Sequence, residues 1–164
     1  MKAILLVVKP NQLVKILNGE KTIEVRKSKL PLNIPVYLYC TKGKPYLINF
    51  GDYEHPYKAG GFELGFDLKN IEGHGAEILN GKVVAKCMFS ERIALKEMPI
   101  VNYVNPKDLK GTIYIINQLE IFDTPKELDE FGALDKAETK RYNGFCKVYK
   151  PITKAPKSWC YVEE

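Results

Sequence analysis

Apolar residues run without a break over residues 3–8 (AILLVV), and the β-branched Ile4, Val7 and Val8 favour a buried strand over a short helix. Pro10 stops that run and Asn11 is a candidate helix cap. Leu13, Ile16 and Leu17 follow at helical spacing, and Gly19 supplies the left-handed residue that ends a helix. The pattern then switches to period two over residues 22–26: Ile23 and Val25 point one way, Thr22, Glu24 and Arg26 the other. A second alternation over 36–41 sets Val36, Leu38 and Cys40 against Tyr37, Tyr39 and Thr41. Residues 82–89 (KVVAKCMF), 112–122 (TIYIINQLEIF) and the closing SWCYV read as further strands. Between them, residues 51–81 hold seven of the twelve glycines and both histidines, which reads as a long, loosely structured excursion. After Phe122, the sequence DTPKELDEFG predicts one short helix, with Thr124 as cap, Pro125 at its first position and Glu127 completing a capping box. Many strands, few short helices and no internal repeat predict one α+β domain over residues 1–164, built as a mixed, mostly antiparallel β-barrel.

Composition narrows the function classes. The chain of 164 residues is long enough for a core without metal or disulfide staples. Its 25 basic and 20 acidic residues leave a formal charge of +5, a modest excess that suits an anionic partner or a merely soluble domain. Cys40, Cys87, Cys146 and Cys160 form no C-x-x-C pair, so buried, reduced thiols and a cytoplasmic location are expected. The opening MKAILLVVKP lacks the features of a signal peptide, and no apolar run reaches the length of a membrane helix, so no membrane partner is expected. GAEILNGKV places five residues between its glycines and a valine at the metal-binding position, which disqualifies it as a phosphate-binding loop. His55 and His74 have no partner at ligand spacing, so neither metal nor cofactor is expected.

The chemistry concentrates in GEKTIEVR, residues 19–26. Thr22, Glu24 and Arg26 share a strand face, with Glu24 and Arg26 about 7 Å apart along it. The Arg26 fork suits a phosphate or a carbonyl edge. Lys21 can hold a phosphate or, if desolvated, act as base or nucleophile. Glu24 can accept from an exocyclic amine of a base, or serve as general acid or base. The plain alternative is an intramolecular Lys21–Glu24 or Glu24–Arg26 pair. Trp159 and Tyr161 share one face of the last strand beside Lys150, Lys154 and Lys157, a setting in which aromatics stack bases and lysines hold phosphates. Tyr39 is a further candidate for such stacking. All three aromatics could equally be core.

NGEKTIEVRKSKLP followed by PVYLYCTKGK resembles the ASCH family, a branch of the PUA-like β-barrels whose signature is G-x-K-x-x-E-x-R after the first helix. QLEIFDTPKELDEFG and the closing PKSWCYVE are similar to the ASCH proteins of phages and prophages of Gram-positive bacteria. The resemblance implies a PUA-like barrel with a cleft floored by the motif strand, and an RNA or nucleotide/nucleoside ligand. Some ASCH proteins are amidohydrolases that deacetylate N4-acetylcytidine with a Lys, a Thr and a Glu. Their lysine carries over to Lys21; their threonine position, three residues on, is Glu24 here, and Thr22 follows the lysine directly. Three readings stand at this point. The chain is a nucleic-acid or nucleotide-binding module using Lys21, Thr22, Glu24, Arg26, Tyr39, Lys154, Lys157, Trp159 and Tyr161. It is a small hydrolase with Lys21 and Glu24 as its catalytic pair. Or it is a non-catalytic interaction protein of a mobile element. No oligomeric state is implied.

Overall fold

The structure, a computed structural model, describes residues 2–49, 63–66 (as backbone), 77–97, 110–142, 144 and 146–163. His55, His74 and most of the glycine-rich excursion lie outside these residues. In chain order the elements are β1 (Ala3–Val8), α1 (Pro10–Leu17), β2 (Ile23–Arg26), β3 (Pro35–Cys40), β4 (Tyr46–Asn49), β5 (Glu63–Phe66), β6 (Glu77–Ile78), β7 (Val83–Ala94), β8 (Thr112–Lys126), β9 (Gly132–Leu134), α2 (Lys136–Arg141), β10 (Tyr149–Pro151) and β11 (Trp159–Glu163). Among them, no helix is long and apolar enough to cross a membrane.

Eight strands form one mixed sheet in the order β10-β9-β11-β1-β3-β7-β8-β2, and β5-β4-β6 form a second, small sheet. The one parallel pair of the large sheet, β1 with β3, is the pair joined by a crossover through α1 and β2, as parallel pairing requires. β1 lies at the centre and is covered on both faces, which explains its unbroken apolar run. Ile4, Leu6 and Val8 join Leu13, Ile16 and Leu17 of α1 in the larger core. Ala3 and Leu5 face the other way, into a second core with Tyr37, Tyr39, Phe131, Ile152 and Val162. The alternation predicted for β3 is preserved, but both of its faces are buried: Val36, Leu38 and Cys40 in the first core, Tyr37 and Tyr39 in the second.

The expected barrel is not closed. β10 and β2 end the large sheet, with no backbone ladder joining them. β2 is only four residues long and pairs with β8 alone. It still reaches back toward the middle of the sheet, because Arg26 donates from Nη2 to the Val7 carbonyl of β1 at 2.7 Å.

Local elements depart from the sequence pattern in three further places. α1 is capped at Lys9, with Pro10 at its first position, where a missing N–H costs nothing; Asn11 lies inside the helix. Gly19, at φ 75°, follows the last turn as expected. The helix expected after Phe122 is absent. β8 runs on to Lys126, which pairs with Val83, and Pro125 is buried within the strand. The capping box forms one step later, between Glu127 and Glu130 around a single 3₁₀ turn. The second α-helix is instead α2, started by the Asp135 carboxylate, which accepts from the N–H groups of Ala137 and Glu138. Lys150 holds that carboxyl below its usual range through a hydrogen bond. α2 buries no residue, so it carries no hydrophobic period to read. Finally, β5 and β6 show that the excursion contains paired strands.

All four cysteines are free thiols. Cys40 and Cys87 are buried in the first core, and burial pushes both thiols up to about 12. Cys160 is half-buried and Cys146 exposed. At pH 8 the thiolate fraction of the two core cysteines is about 10⁻⁴, so a thiol reagent should label Cys146 first and Cys160 slowly. Cys40 and Cys87 should react only after unfolding, which mass spectrometry of labelled peptides checks. Rapid labelling of either in the folded protein would contradict this burial.

Candidate functional site

Two backbone contacts fix how β2 enters the fold. The Lys21 N–H donates to the Lys15 carbonyl at 2.9 Å, and the Ile116 N–H donates to the Thr22 carbonyl at 2.9 Å. The register that follows sets Glu24 opposite Tyr114 and Val25 opposite Ile113. Directly opposed residues share a face, and Tyr114 is fully buried in the first core. Glu24 therefore points inward and is 5% exposed, while Ile23 and Val25 are 37% and 41% exposed. The alternation read from the sequence holds over residues 23–26, with the unusual result that its charged face is the inner one, while Thr22 precedes the strand and is exposed.

A carboxylate in that position needs partners, and each of its oxygens has one. Lys21 Nζ donates to Glu24 Oε2 at 2.7 Å, and Arg26 Nε donates to Glu24 Oε1 at 2.8 Å. Lys21 also donates to Gln12 Oε1 at 3.0 Å. The rest of the Arg26 fork donates to Ser158 Oγ at 3.5 Å and to the Val7 carbonyl at 2.7 Å. Three of the five guanidinium N–H groups are thereby engaged, and two remain for a ligand. The Lys21–Glu24 and Glu24–Arg26 pairs both form, in one network at the mouth of the core.

The network borders a cavity of about 290 Å³ between the end of β1, the start of α1 and β2. Gln12, Glu24, Arg26 and Thr41 supply its polar lining, Lys9 and Lys157 add two cations, and Val7, Val8 and Val25 form apolar walls. Lys21 does not line the cavity. Its ammonium donates to Glu24 and Gln12, both of which do. One carboxylate set among two directly bonded and two neighbouring cations leaves the pocket electropositive, with Glu24 as its single acidic feature.

The other candidates scatter. Thr22 is exposed and contributes no side chain to the cavity. Tyr39 is 3% exposed inside the second core, and burial raises its phenol above the usual range. It contributes to the walls of two neighbouring depressions, one of them also lined by Lys154 and Lys157, but at this burial its ring presents no open face for stacking. Trp159 packs against the first core and donates from Nε1 to Ser28 Oγ at 3.1 Å. Its edge meets the Tyr161 ring at 5.3 Å between centroids, and Tyr161 is exposed beneath Lys2. Neither aromatic lines the cavity. Lys150 is paired with Asp135 at 2.6 Å.

Gln12, Ser158, Lys9 and Thr41 had not been singled out from the sequence. Gln12 could have been, since it interrupts the apolar helix face one turn before Ile16. Ser158 adjoins the closing strand, but nothing in the pattern marks it as a partner of Arg26, 132 positions away. Among the described residues, no group of three or more His, Cys, Asp and Glu side chains could hold a metal ion.

No family model matches the chain, and no curated protein matches it. Solved structures similar to it along nearly its whole length are ASCH proteins of Zymomonas mobilis. The ASCH structure itself is 12% identical, with 99% of this chain and 88% of that chain covered and a TM-score of 0.49. A Tyr-to-Phe mutant is 14% identical, with 100% and 92% covered and a TM-score of 0.48, and a Ser-to-Ala mutant is 12% identical, with 99% and 89% covered and a TM-score of 0.49.

Proposed function

We propose that this chain is an ASCH-type module that binds a nucleotide, free or within RNA, in the Glu24 cavity. The observation that carries this reading is the inward-facing Glu24, held between Lys21 and Arg26 beside a cavity that Lys9 and Lys157 also line. A phosphate finds Lys157, Lys9 and the two spare N–H groups of Arg26. A base bearing an exocyclic amine finds the remaining lone pairs of Glu24. The cavity, about 290 Å³, sits at the lower end of the range for small-molecule sites and accommodates one nucleoside unit at a time. The G-x-K-x-x-E-x-R motif supports the same reading, since its three named residues build this network.

A hydrolase would use the same Lys21–Glu24 pair, which lies at hydrogen-bonding distance. Binding is the better reading because the Lys21 nitrogen is engaged by Glu24 and Gln12 and Lys21 is not among the residues that line the cavity, where a nucleophile would have to present its nitrogen.

Calorimetric titration with the four ribonucleoside monophosphates and their unphosphorylated nucleosides tests the proposal. Monophosphates should bind more tightly than nucleosides, and added salt should weaken them. A base with an exocyclic amine should exceed uridine by roughly 5–100-fold, the worth of one well-placed base contact. Absence of binding by all eight compounds at millimolar concentration would sink the reading.

A further inference from the structure

The Glu24 cavity does not end at Lys157. Val7, Thr41 and Lys157 are shared with a second depression of about 380 Å³, which Lys42, Lys154 and Pro156 also line. That depression in turn shares Tyr39, Lys42, Leu128 and Thr153 with a third, of about 300 Å³, whose new members include Glu127 and Asp129. The shared residues place the three depressions in series, with lysines along the first two and carboxylates at the third.

Ion pairing divides the surface lysines. Lys82, Lys86 and Lys150 are each paired with a carboxylate, at 2.5, 3.0 and 2.6 Å. Lys42, Lys154 and Lys157 are exposed and make no ion pair among the described residues. Lys42 passes close to the backbone of Gly81. Its stem lies over Gly81, where an added Cβ would come within 3.1 Å of Lys42 Cε and 3.3 Å of its Cγ. Gly81 has a φ of 87°, so it meets both demands of that position, the left-handed backbone and the room for the lysine. Three unpaired ammonium groups along a groove that opens from a nucleotide-sized pocket match a run of phosphates.

We propose that the groove beyond Lys157 is a phosphate-backbone subsite, and that the ligand is a single strand of two or three nucleotides in contact with the protein. This rests on the reading that the Glu24 cavity takes a nucleotide. Lys157 and Thr41, shared by both depressions, hold the phosphate that links the nucleotide in the cavity to its neighbour. Lys42 and Lys154 hold the next one, and Pro156 and Leu128 give a base an apolar surface. Glu127 and Asp129 end the subsite, because a further phosphate would meet carboxylates.

The test compares a mononucleotide, a trinucleotide and a hexanucleotide of the same base by fluorescence anisotropy, on the unmodified protein and on the double variant Lys42→Gln/Lys154→Gln. The trinucleotide should bind at least about tenfold more tightly than the mononucleotide, as one added stacked or charged contact provides. Its log–log salt slope should be about −1.4 to −2.1, two to three phosphates at roughly −0.7 each. The hexanucleotide should add little beyond the trinucleotide. The double variant should remove the trinucleotide's advantage and leave mononucleotide binding unchanged. Equal binding of mononucleotide and trinucleotide would overturn the subsite while leaving the nucleotide pocket standing. A steady gain with each nucleotide up to six would overturn the acidic boundary, and an acidic peptide bound as tightly as the trinucleotide would overturn the assignment to nucleotide phosphates. If no mononucleotide binds, the pocket reading fails and the subsite fails with it.

Discussion

Replacing Glu24 by alanine should destabilise the fold by about 2–4 kcal/mol, seen as a fall of roughly 5–15 °C in Tm for a chain of this length. A solvent-facing strand residue would cost under about 0.5 kcal/mol. The difference comes from burial: Glu24 is 5% exposed and accepts from Lys21 at 2.7 Å and Arg26 at 2.8 Å. Removing the carboxylate leaves two cations facing each other across an empty space, and removing one partner of a fully buried ion pair costs about 3–5 kcal/mol. The two cations here are about one-fifth exposed, at 20% and 18%, so water recovers part of that loss. Glu24→Gln keeps the shape and one acceptor and should cost less than Glu24→Ala. In a Lys21→Met background the alanine substitution should also cost less, because one of the stranded charges is already gone. A Tm shift under 2 °C for Glu24→Ala would mean that the network does not hold β2 in place.

The sequence exposed the strands of this protein well and its topology less well. The uninterrupted run of β1 and the period-two patterns of β2 and β3 are local signals, and each corresponds to a strand. Which face of β2 turns inward is set by its register with β8, nearly ninety residues on, through the pairing of Glu24 with Tyr114. Alternation alone assigns the apolar face to the core, and here Ile23 and Val25 lie outside. The open sheet is likewise a long-range fact, set by whether its two edge strands, β2 and β10, pair with each other. The helix expected after Phe122 had correct capping chemistry in the wrong setting. Pairing with β7 carried β8 through Pro125 to Lys126, and the capping box then served a single 3₁₀ turn. For the site, the charged motif set Glu24 and Arg26 on one strand face, since i and i+2 on a strand share a face, and both line one cavity. It could not show that Lys21 also reaches Gln12, since that depends on where α1 packs.

The relative weight of Arg26 and Lys21 separates a binder from a hydrolase, and the expected order follows from where each stands. Arg26 lines the cavity with two N–H groups to spare, so Arg26→Gln should weaken a nucleoside monophosphate by about 10–100-fold, the worth of one or two charge-assisted hydrogen bonds. Lys21 lies outside the lining and acts only through Glu24 and Gln12, so Lys21→Ala should weaken the same ligand by less than about tenfold. Both variants need a thermal melt beside the titration, because Arg26 also ties β2 to β1 through Val7. A hydrolase reverses the order. If the Lys21 nitrogen attacked an acylated base, or shuttled its proton, Lys21→Ala would cut turnover of an N4-acylated cytidine by at least ~10²-fold, while Arg26→Gln would act mainly on substrate affinity. The expected result is no turnover above the uncatalysed rate by the unmodified protein, with binding lost in the order Arg26 before Lys21. An ammonium donating to the oxygens of Glu24 and Gln12 at 2.7 and 3.0 Å has no lone pair directed at a ligand. Measurable deacylation that disappears in Lys21→Ala and returns in Lys21→Arg would assign Lys21 to stabilisation by its positive charge, since arginine does not give up its proton, and deacylation lost in both would assign it to proton transfer or nucleophilic attack; either result would replace the binding module with an enzyme.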